Sequence, residues 1–189
     1  MKKLSMFALI MLLAASAVSA HDGSLGLYTS QAATDCDADF NPFNPMNVYL
    51  MYYRSDGGPD GITGAELMVE LSSAQVTVVS FTENPNTLTN GSILAGIGIV
   101  FTDDCFGAGQ SYILLGTLSV MSLGATPGWT MKVLGDPRSE VGDGLNVSMC
   151  GGTKPMVPVL GGWFYGQDGA CNVGTEPATW GAVKSMYNN

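Results

Sequence analysis

The chain has 189 residues, with seven basic and sixteen acidic side chains and a formal net charge of −9. This excess of acid argues against nucleic acid or an anionic lipid surface as a partner, because both carry the same sign of charge. The length allows one domain with a sizeable core. The 25 glycines and the low charged fraction of 12% favour strands and turns over helices.

The N-terminus has the pattern of a secretory signal peptide. Lys2 and Lys3 precede an apolar run over residues 6–15, and Val18-Ser-Ala20 offers small residues for cleavage directly after it. The run is too short for a spanning helix, which takes about 20 apolar residues, and no later segment is long and apolar enough to cross a membrane. We therefore expect a signal peptide over 1–20 and a secreted or cell-surface protein, with a net charge of −11 once the two lysines are removed.

After the signal peptide, the chain alternates between strands and turns. Strands are predicted at 26–29, 47–54, 64–71, 75–81, 129–134, 145–149 and 156–165. The most regular of them is 64–71, where Ala65, Leu67 and Val69 are expected to face a core. Glu66 and Glu70 alternate with them and are expected to face solvent, as in an antiparallel sheet that is covered on one side.

Two longer apolar segments, 92–101 and 112–123, flank a short polar turn that contains Cys105. Both faces of each segment are largely apolar. We therefore predict that they form one hairpin, covered on both sides, at the centre of a sandwich. The whole pattern predicts an all-β protein, an antiparallel β-sandwich.

Four cysteines lie after the predicted cleavage site: Cys36, Cys105, Cys150 and Cys171. An even number of cysteines in an exported chain predicts two disulfide bonds, for which three pairings are possible. We favour Cys36–Cys105 with Cys150–Cys171, because the second pair would close a short loop. Metal ligation by these residues would need paired Cys-x-x-Cys spacing, which the chain lacks.

The last eighteen residues differ from the strand-rich part. The run Thr175-Glu-Pro is typical of a helix start, and Trp180, Val183 and Tyr187 follow at helical spacing. We predict a sandwich domain over 21–171, followed by a linker and a short amphipathic C-terminal helix over 172–189. This helix is expected to dock on its own domain, or alternatively to act as a recognition or sorting segment.

Several short motifs resemble known bacterial modules. The entry Gly61-Ile-Thr-Gly-Ala65, the alternating strand that ends at Leu71 and the valine-rich strand at 75–81 resemble consecutive strands of cohesin-like and related immunoglobulin-like modules. With Gly26-Leu-Tyr28 and Tyr112-Ile-Leu-Leu115, the chain is similar to a broad group of uncharacterised secreted bacterial β-sandwich proteins. The resemblance implies a fold and an extracellular setting, and no site residues.

Enzymatic activity is not expected, because His21 is the only histidine and a Ser-His-Asp or Cys-His arrangement has no other to use. Calcium is the one cofactor that the sequence suggests. Asp35, Asp37 and Asp39 alternate along the chain as in the first half of a calcium loop, although the glycine and glutamate of a full loop are missing. The same alternation would equally place these carboxylates on one exposed strand face.

Trp163 and Tyr165 alternate in the last predicted strand and are expected to share a face. Exposed aromatic rings at this spacing suit stacking on sugars, although aromatic side chains also pack in cores and at edges. The sequence thus predicts a non-enzymatic extracellular module with a structural, adhesive or cell-surface assembly role, and a carbohydrate-binding module as the alternative. The expected partner is an extracellular protein or polysaccharide, and self-association is also open.

Overall fold

The computed structural model describes residues 23–36, 41–54, 60–124, 129–141 and 144–151, together with three short strands between residues 156 and 165. This part of the chain forms twelve strands and no helix, so none of it is a helix that could cross a membrane. The strands are β1 Ser24–Tyr28, β2 Met46–Tyr53, β3 Ile62–Leu71, β4 Val76–Glu83, β5 Thr87–Ser92, β6 Gly96–Phe101, β7 Tyr112–Ser122, β8 Thr130–Leu134, β9 Asn146–Met149, β10 Met156–Pro158, β11 Leu160–Gly161 and β12 Trp163–Tyr165. The predicted signal peptide and C-terminal helix lie outside the described residues.

The strands form two sheets. The first has the order β11-β1-β2-β7-β4, and the second has the order β10-β9-β3-β6-β5, with β8 attached to β3 and β12 attached to β8. All described pairs are antiparallel except β1 with β11. One apolar core takes side chains from both sheets, including Leu25, Leu50, Leu118, Leu67, Ile99 and Val147. The predicted antiparallel β-sandwich is confirmed.

Strand β3 organises the second sheet. One edge pairs with β6 through Gly64–Leu67, and the other edge pairs first with β9 and then with β8. The predicted alternation is confirmed, because Ala65, Leu67 and Val69 are at most 3% exposed, whereas Glu70 faces solvent. Burying three such side chains stabilises the fold by roughly 1–3 kcal/mol each.

The predicted hairpin between 92–101 and 112–123 is wrong. Strand β6 lies between β3 and β5 in the second sheet, and β7 lies between β2 and β4 in the first, so the loop between them crosses from one sheet to the other. An apolar pattern on both faces does not specify a hydrogen-bonded partner. The partner of β6 that the sequence analysis missed is β5, an edge strand with the polar sequence TLTNGS.

The crossing loop is fastened by a disulfide between Cys105 and Cys150, whose Cα atoms are 5.5 Å apart. The predicted pairings of Cys36 with Cys105 and of Cys150 with Cys171 are therefore wrong. Short sequence separation was a poor guide, because two backbone hydrogen bonds between Ile62 and Phe106, of 2.9 and 3.1 Å, bring the crossing loop to the start of β3 beside β9. Cys36 is disulfide-bonded as well, with its partner outside the described residues.

A second apolar cluster lies on the outer face of the first sheet. Its members, which we term the tyrosine face, are Tyr28, Tyr49, Tyr53, Tyr112, Met51 and Leu114. The Tyr53 and Tyr112 rings stack with centroids 4.9 Å apart, and Tyr28 meets Tyr112 edge-on at 6.4 Å. Burial, reinforced by the neighbouring Tyr112 and Tyr53, raises the pKa of Tyr28 to about 12.

Candidate functional site

Two glycines on neighbouring strands open a depression in the outer face of the second sheet. Gly64 of β3 lies opposite Val100 of β6, and Glu66 of β3 lies opposite Gly98 of β6. Residues directly opposite one another in an antiparallel pair share a face, so each glycine leaves a gap beside a side chain. The resulting cavity, termed the recess, has a volume of about 310 Å³, near the lower end of ligand-binding clefts.

Glycine is present at positions 64 and 98 for different reasons. A Cβ atom on Gly64 would lie 2.6 Å from the backbone oxygen of Ile99, so β3 and β6 can approach as closely as they do only without a side chain there. A Cβ atom on Gly98 would meet nothing nearer than 3.9 Å. Gly64 is therefore required by strand packing, whereas Gly98 only keeps the recess open.

An exposed apolar strip borders the recess. Val100 is 56% exposed and Leu88 is 67% exposed, and the two residues lie directly opposite each other on β6 and β5. Single exposed apolar residues are ordinary on protein surfaces. Here the two form a continuous strip that ends at a concave surface, which is a common arrangement at binding sites.

The rim of the recess is acidic. Glu66, Asp103 and Asp104 line it, together with the hydroxyl-bearing Thr63 and Ser148, and none of its described lining residues is basic. The Thr63 hydroxyl donates to Ser148 Oγ at 2.7 Å. In a chain of net charge −9, three carboxyl groups around one cavity give this surface a negative potential that attracts cationic groups.

The segment between β8 and β9 holds one of these carboxylates in place. The Ser139 hydroxyl donates to Glu66 Oε2 at 2.6 Å. Three groups of Arg138 donate to the Asp136 carboxylate: the backbone N–H at 2.8 Å, Nε at 3.0 Å and Nη2 at 2.7 Å. These hydrogen bonds lower the pKa of Asp136 against the opposing effect of burial. The Arg138–Asp136 pair thereby fixes the segment from which the Ser139 hydroxyl reaches Glu66 at the rim of the recess.

Replacing Asp136 by asparagine is expected to lower the urea midpoint of unfolding at neutral pH, because the amide cannot accept three charge-assisted hydrogen bonds. The folded-state pKa of Asp136 lies below its usual value. Its stabilising effect is therefore present above the unfolded-state pKa and is lost as the pH falls through the folded value. The difference between the native chain and D136N should shrink below about pH 4. If the midpoints of the native chain and D136N differed as much below about pH 4 as at neutral pH, this account would be contradicted. Asp60→Asn is the matched control, because Asp60 is exposed.

The predicted calcium ligands are only partly within the described residues. The backbone oxygen of Asp35 accepts hydrogen bonds from Thr29 N at 2.8 Å and Thr29 Oγ1 at 3.2 Å, and its carboxylate accepts one from Thr34 Oγ1 at 2.9 Å. Asp37 and Asp39 lie outside the description. Where the structure is described, no three histidine, cysteine, aspartate or glutamate side chains gather in a way that could hold a metal ion. Calcium binding stays a prediction.

The predicted aromatic site lies on a different strand from the recess. Strand β12 pairs with β8, so that Trp163 lies opposite Lys132 and Tyr165 lies opposite Thr130. These two positions of β8 alternate with the buried Met131. The remaining predicted site residues, Trp180, Val183 and Tyr187, fall outside the described part of the chain.

The fold is similar to that of cohesin modules. A cohesin module from a family 33 glycoside hydrolase of Clostridium perfringens superposes with a TM-score of 0.56 at 8% identity, covering 78% of this chain and 96% of that one. The comparison also found a type I cohesin–dockerin complex from Clostridium thermocellum, with a TM-score of 0.48 and 10% identity over 80% of this chain and 99% of that one. A non-cellulosomal cohesin from Archaeoglobus fulgidus superposes with a TM-score of 0.45 at 10% identity, covering 77% of this chain and 90% of that one.

No protein-family model matches the chain, and no curated protein matches its sequence. The cohesin-like fold that the sequence motifs implied is therefore confirmed by structure alone. At such low identity the likeness concerns the fold, and function has to be argued from the surface itself.

Proposed function

We propose that the protein is a non-enzymatic extracellular module that binds a protein partner through the recess and the apolar strip. The observation that carries this proposal is that exposed Val100 and Leu88 lie beside an acidic concavity on the outer face of the second sheet. Apolar contact supplies affinity and the carboxylates supply orientation, as in protein interfaces generally. The sheet positions Val100, Leu88 and Glu66 more firmly than a loop would, whereas Asp103 and Asp104 lie on the crossing loop that the Cys105–Cys150 disulfide fastens.

The charge of the recess suggests what the partner brings. A lysine or arginine side chain would complement Glu66 and the neighbouring Asp103 and Asp104, and arginine would add bidentate geometry. Apolar side chains beside that cation would cover Val100 and Leu88. A module with a similar fold occurs as the cohesin module of a family 33 glycoside hydrolase, and by analogy with it we propose a binding module here and not a catalytic domain.

An extracellular setting is the second half of the proposal. The Cys105–Cys150 bond is of the kind that persists in oxidising compartments, and the predicted signal peptide over 1–20 agrees with it. Within that setting, an adhesive or cell-surface assembly role is the form of protein binding that we propose.

The recess proposal predicts a specific pair of binding results. Residues 21–189 would be immobilised and exposed to the extracellular protein fraction of the source organism, and retained proteins identified by mass spectrometry. We expect a partner that binds the native chain and loses at least tenfold in affinity, about 1.4 kcal/mol, with Val100→Asp or Gly98→Phe. Val79→Asp is the matched control, because Val79 is 54% exposed on β4 of the other sheet.

Equal retention by the native chain and the Val100→Asp variant would place binding elsewhere and overturn the recess proposal. The carbohydrate-binding alternative is tested in parallel on insoluble cellulose and chitin. Its proposed residues, Trp163 and Tyr165, occupy positions opposite Lys132 and Thr130 of β8. Retention that Trp163→Ala abolishes and Val100→Asp leaves intact would establish that alternative.

A further inference from the structure

The tyrosine face lies on the sheet opposite the recess, on a surface that a sandwich normally leaves to solvent. Tyr28 is 2% exposed and Met51 is 3% exposed, whereas Tyr53 and Tyr112 at the same face remain partly exposed. Several aromatic rings on one outer sheet face are expected to be covered by another part of the chain, because burying large aromatic side chains stabilises the folded state. The described part of that cover is the turn from Thr29 to Cys36, in which Ala33 packs on the cluster.

Cys36 marks the point at which another segment of the chain could be attached to the tyrosine face. Its side chain lies in the same cluster, is 2% exposed and is disulfide-bonded. The chain has four cysteines, and Cys105 and Cys150 are bonded to each other. We infer that a Cys36–Cys171 disulfide fastens the C-terminal segment, residues 172–189, across the tyrosine face.

The segment has the reach and the chemistry for this role. Trp180 lies nine positions beyond Cys171, which is about 14 Å as a helix and about 30 Å when extended. The tyrosine face spans the three strands β1, β2 and β7, about 10 Å at the usual strand spacing. The apolar side chains that the segment carries are Trp180, Val183 and Tyr187, which suit packing against tyrosine rings.

The inference concerns a different sheet from the recess, so it stands or falls independently of the proposed function. A docked segment on the first sheet leaves the recess on the second sheet open to a partner. The C-terminal segment would then be part of the domain, and neither a free recognition tail nor a sorting signal.

The first test is a non-reducing peptide map of the native chain. We expect one linked peptide pair that contains Cys105 and Cys150, and a second that contains Cys36 and Cys171 from the same molecule. A bond from Cys36 to another copy of the chain, or to a different thiol, would overturn the inference. The native chain would also be prepared from a mixture of isotopically light and heavy copies. A linked peptide pair that combines one light and one heavy peptide would then reveal a bond between chains.

The second test measures the cover itself by nitration of tyrosines with tetranitromethane, mapped by mass spectrometry. In the full chain with Trp180→Ala, nitration of Tyr53 and Tyr112 is expected to be at least about threefold faster than in the native chain. Ser185→Ala lies in the same segment, removes no apolar group and should leave the rates unchanged. Unchanged rates in both Trp180→Ala and Tyr187→Ala, with the fold retained by circular dichroism, would show that the segment does not cover this face.

Discussion

Replacing Cys105 and Cys150 together by serine is expected to lower the free energy of unfolding by about 4 kcal/mol. The bond closes a loop of 45 positions that includes β7 and β8, so the unfolded chain gains considerable freedom when it is absent. Urea unfolding of the double variant against the native chain, both under oxidising conditions, measures the difference. The double replacement avoids leaving a single reactive thiol.

A loss below about 1 kcal/mol would contradict this expectation. It would mean that the two backbone hydrogen bonds between Ile62 and Phe106 hold the crossing loop without help. The same variant also bears on the recess, because Asp103 and Asp104 lie on that loop directly before Cys105. A looser loop would weaken partner binding in addition to stability, and the two effects can be measured separately at a temperature where the variant is folded.

Gly64→Ala is expected to destabilise the protein by about 2–3 kcal/mol, at the upper end of the usual cost of overpacking. The added Cβ would lie 2.6 Å from the backbone oxygen of Ile99, and a backbone atom cannot yield as a flexible side chain can. The change should appear as a lower midpoint of thermal unfolding, by about 2–4 °C per kcal/mol for a domain of this size.

The same substitution at Gly98 is the matched control, because that glycine also lies on the outer face and has 3.9 Å of clearance. We expect Gly98→Ala to be neutral or to stabilise by up to about 1 kcal/mol, since alanine restricts the unfolded chain. Equal losses at the two positions would show that glycine serves backbone conformation in both strands and that the packing of β3 against β6 is not the cause.

The sequence was most informative where one face of a strand meets the core. The alternation of Ala65, Leu67 and Val69 with glutamates located β3 and its inward face correctly, because period-two burial is a local property. The valine-rich segment at 75–81 became β4 at Val76–Glu83. The approximate positions of β3 and β4, the two-layer class and the cohesin-like resemblance therefore followed from short stretches, whereas the predicted strand at 92–101 was wrong in its bounds, since β5 ends at Ser92 and β6 begins at Gly96.

Features that depend on contacts between distant residues were not predictable in this way. The recess needs Gly64 and Gly98 on adjacent strands, and nothing local indicates that β3 and β6 are neighbours. The mistaken hairpin has the same origin, because the polar edge strand β5 gives no hydrophobic signal. Cysteine spacing also failed to predict the disulfide pairing, since Cys105 and Cys150 come together only because the crossing loop lies at the start of β3.

The central place of β3 in the second sheet has a consequence for the order of folding. Its partners β6, β8 and β9 are all encoded later in the chain. In a nascent chain, one edge of β3 therefore has no partner until β6 is complete at Phe101, and the other edge is not fully paired until Met149 has been synthesised. Chains dominated by such distant pairings fold in milliseconds to seconds, and unpaired edges invite aggregation meanwhile. Truncation before β9 is therefore expected to leave part of one β3 edge unpaired and prone to aggregation, so that the strands encoded last protect those encoded first.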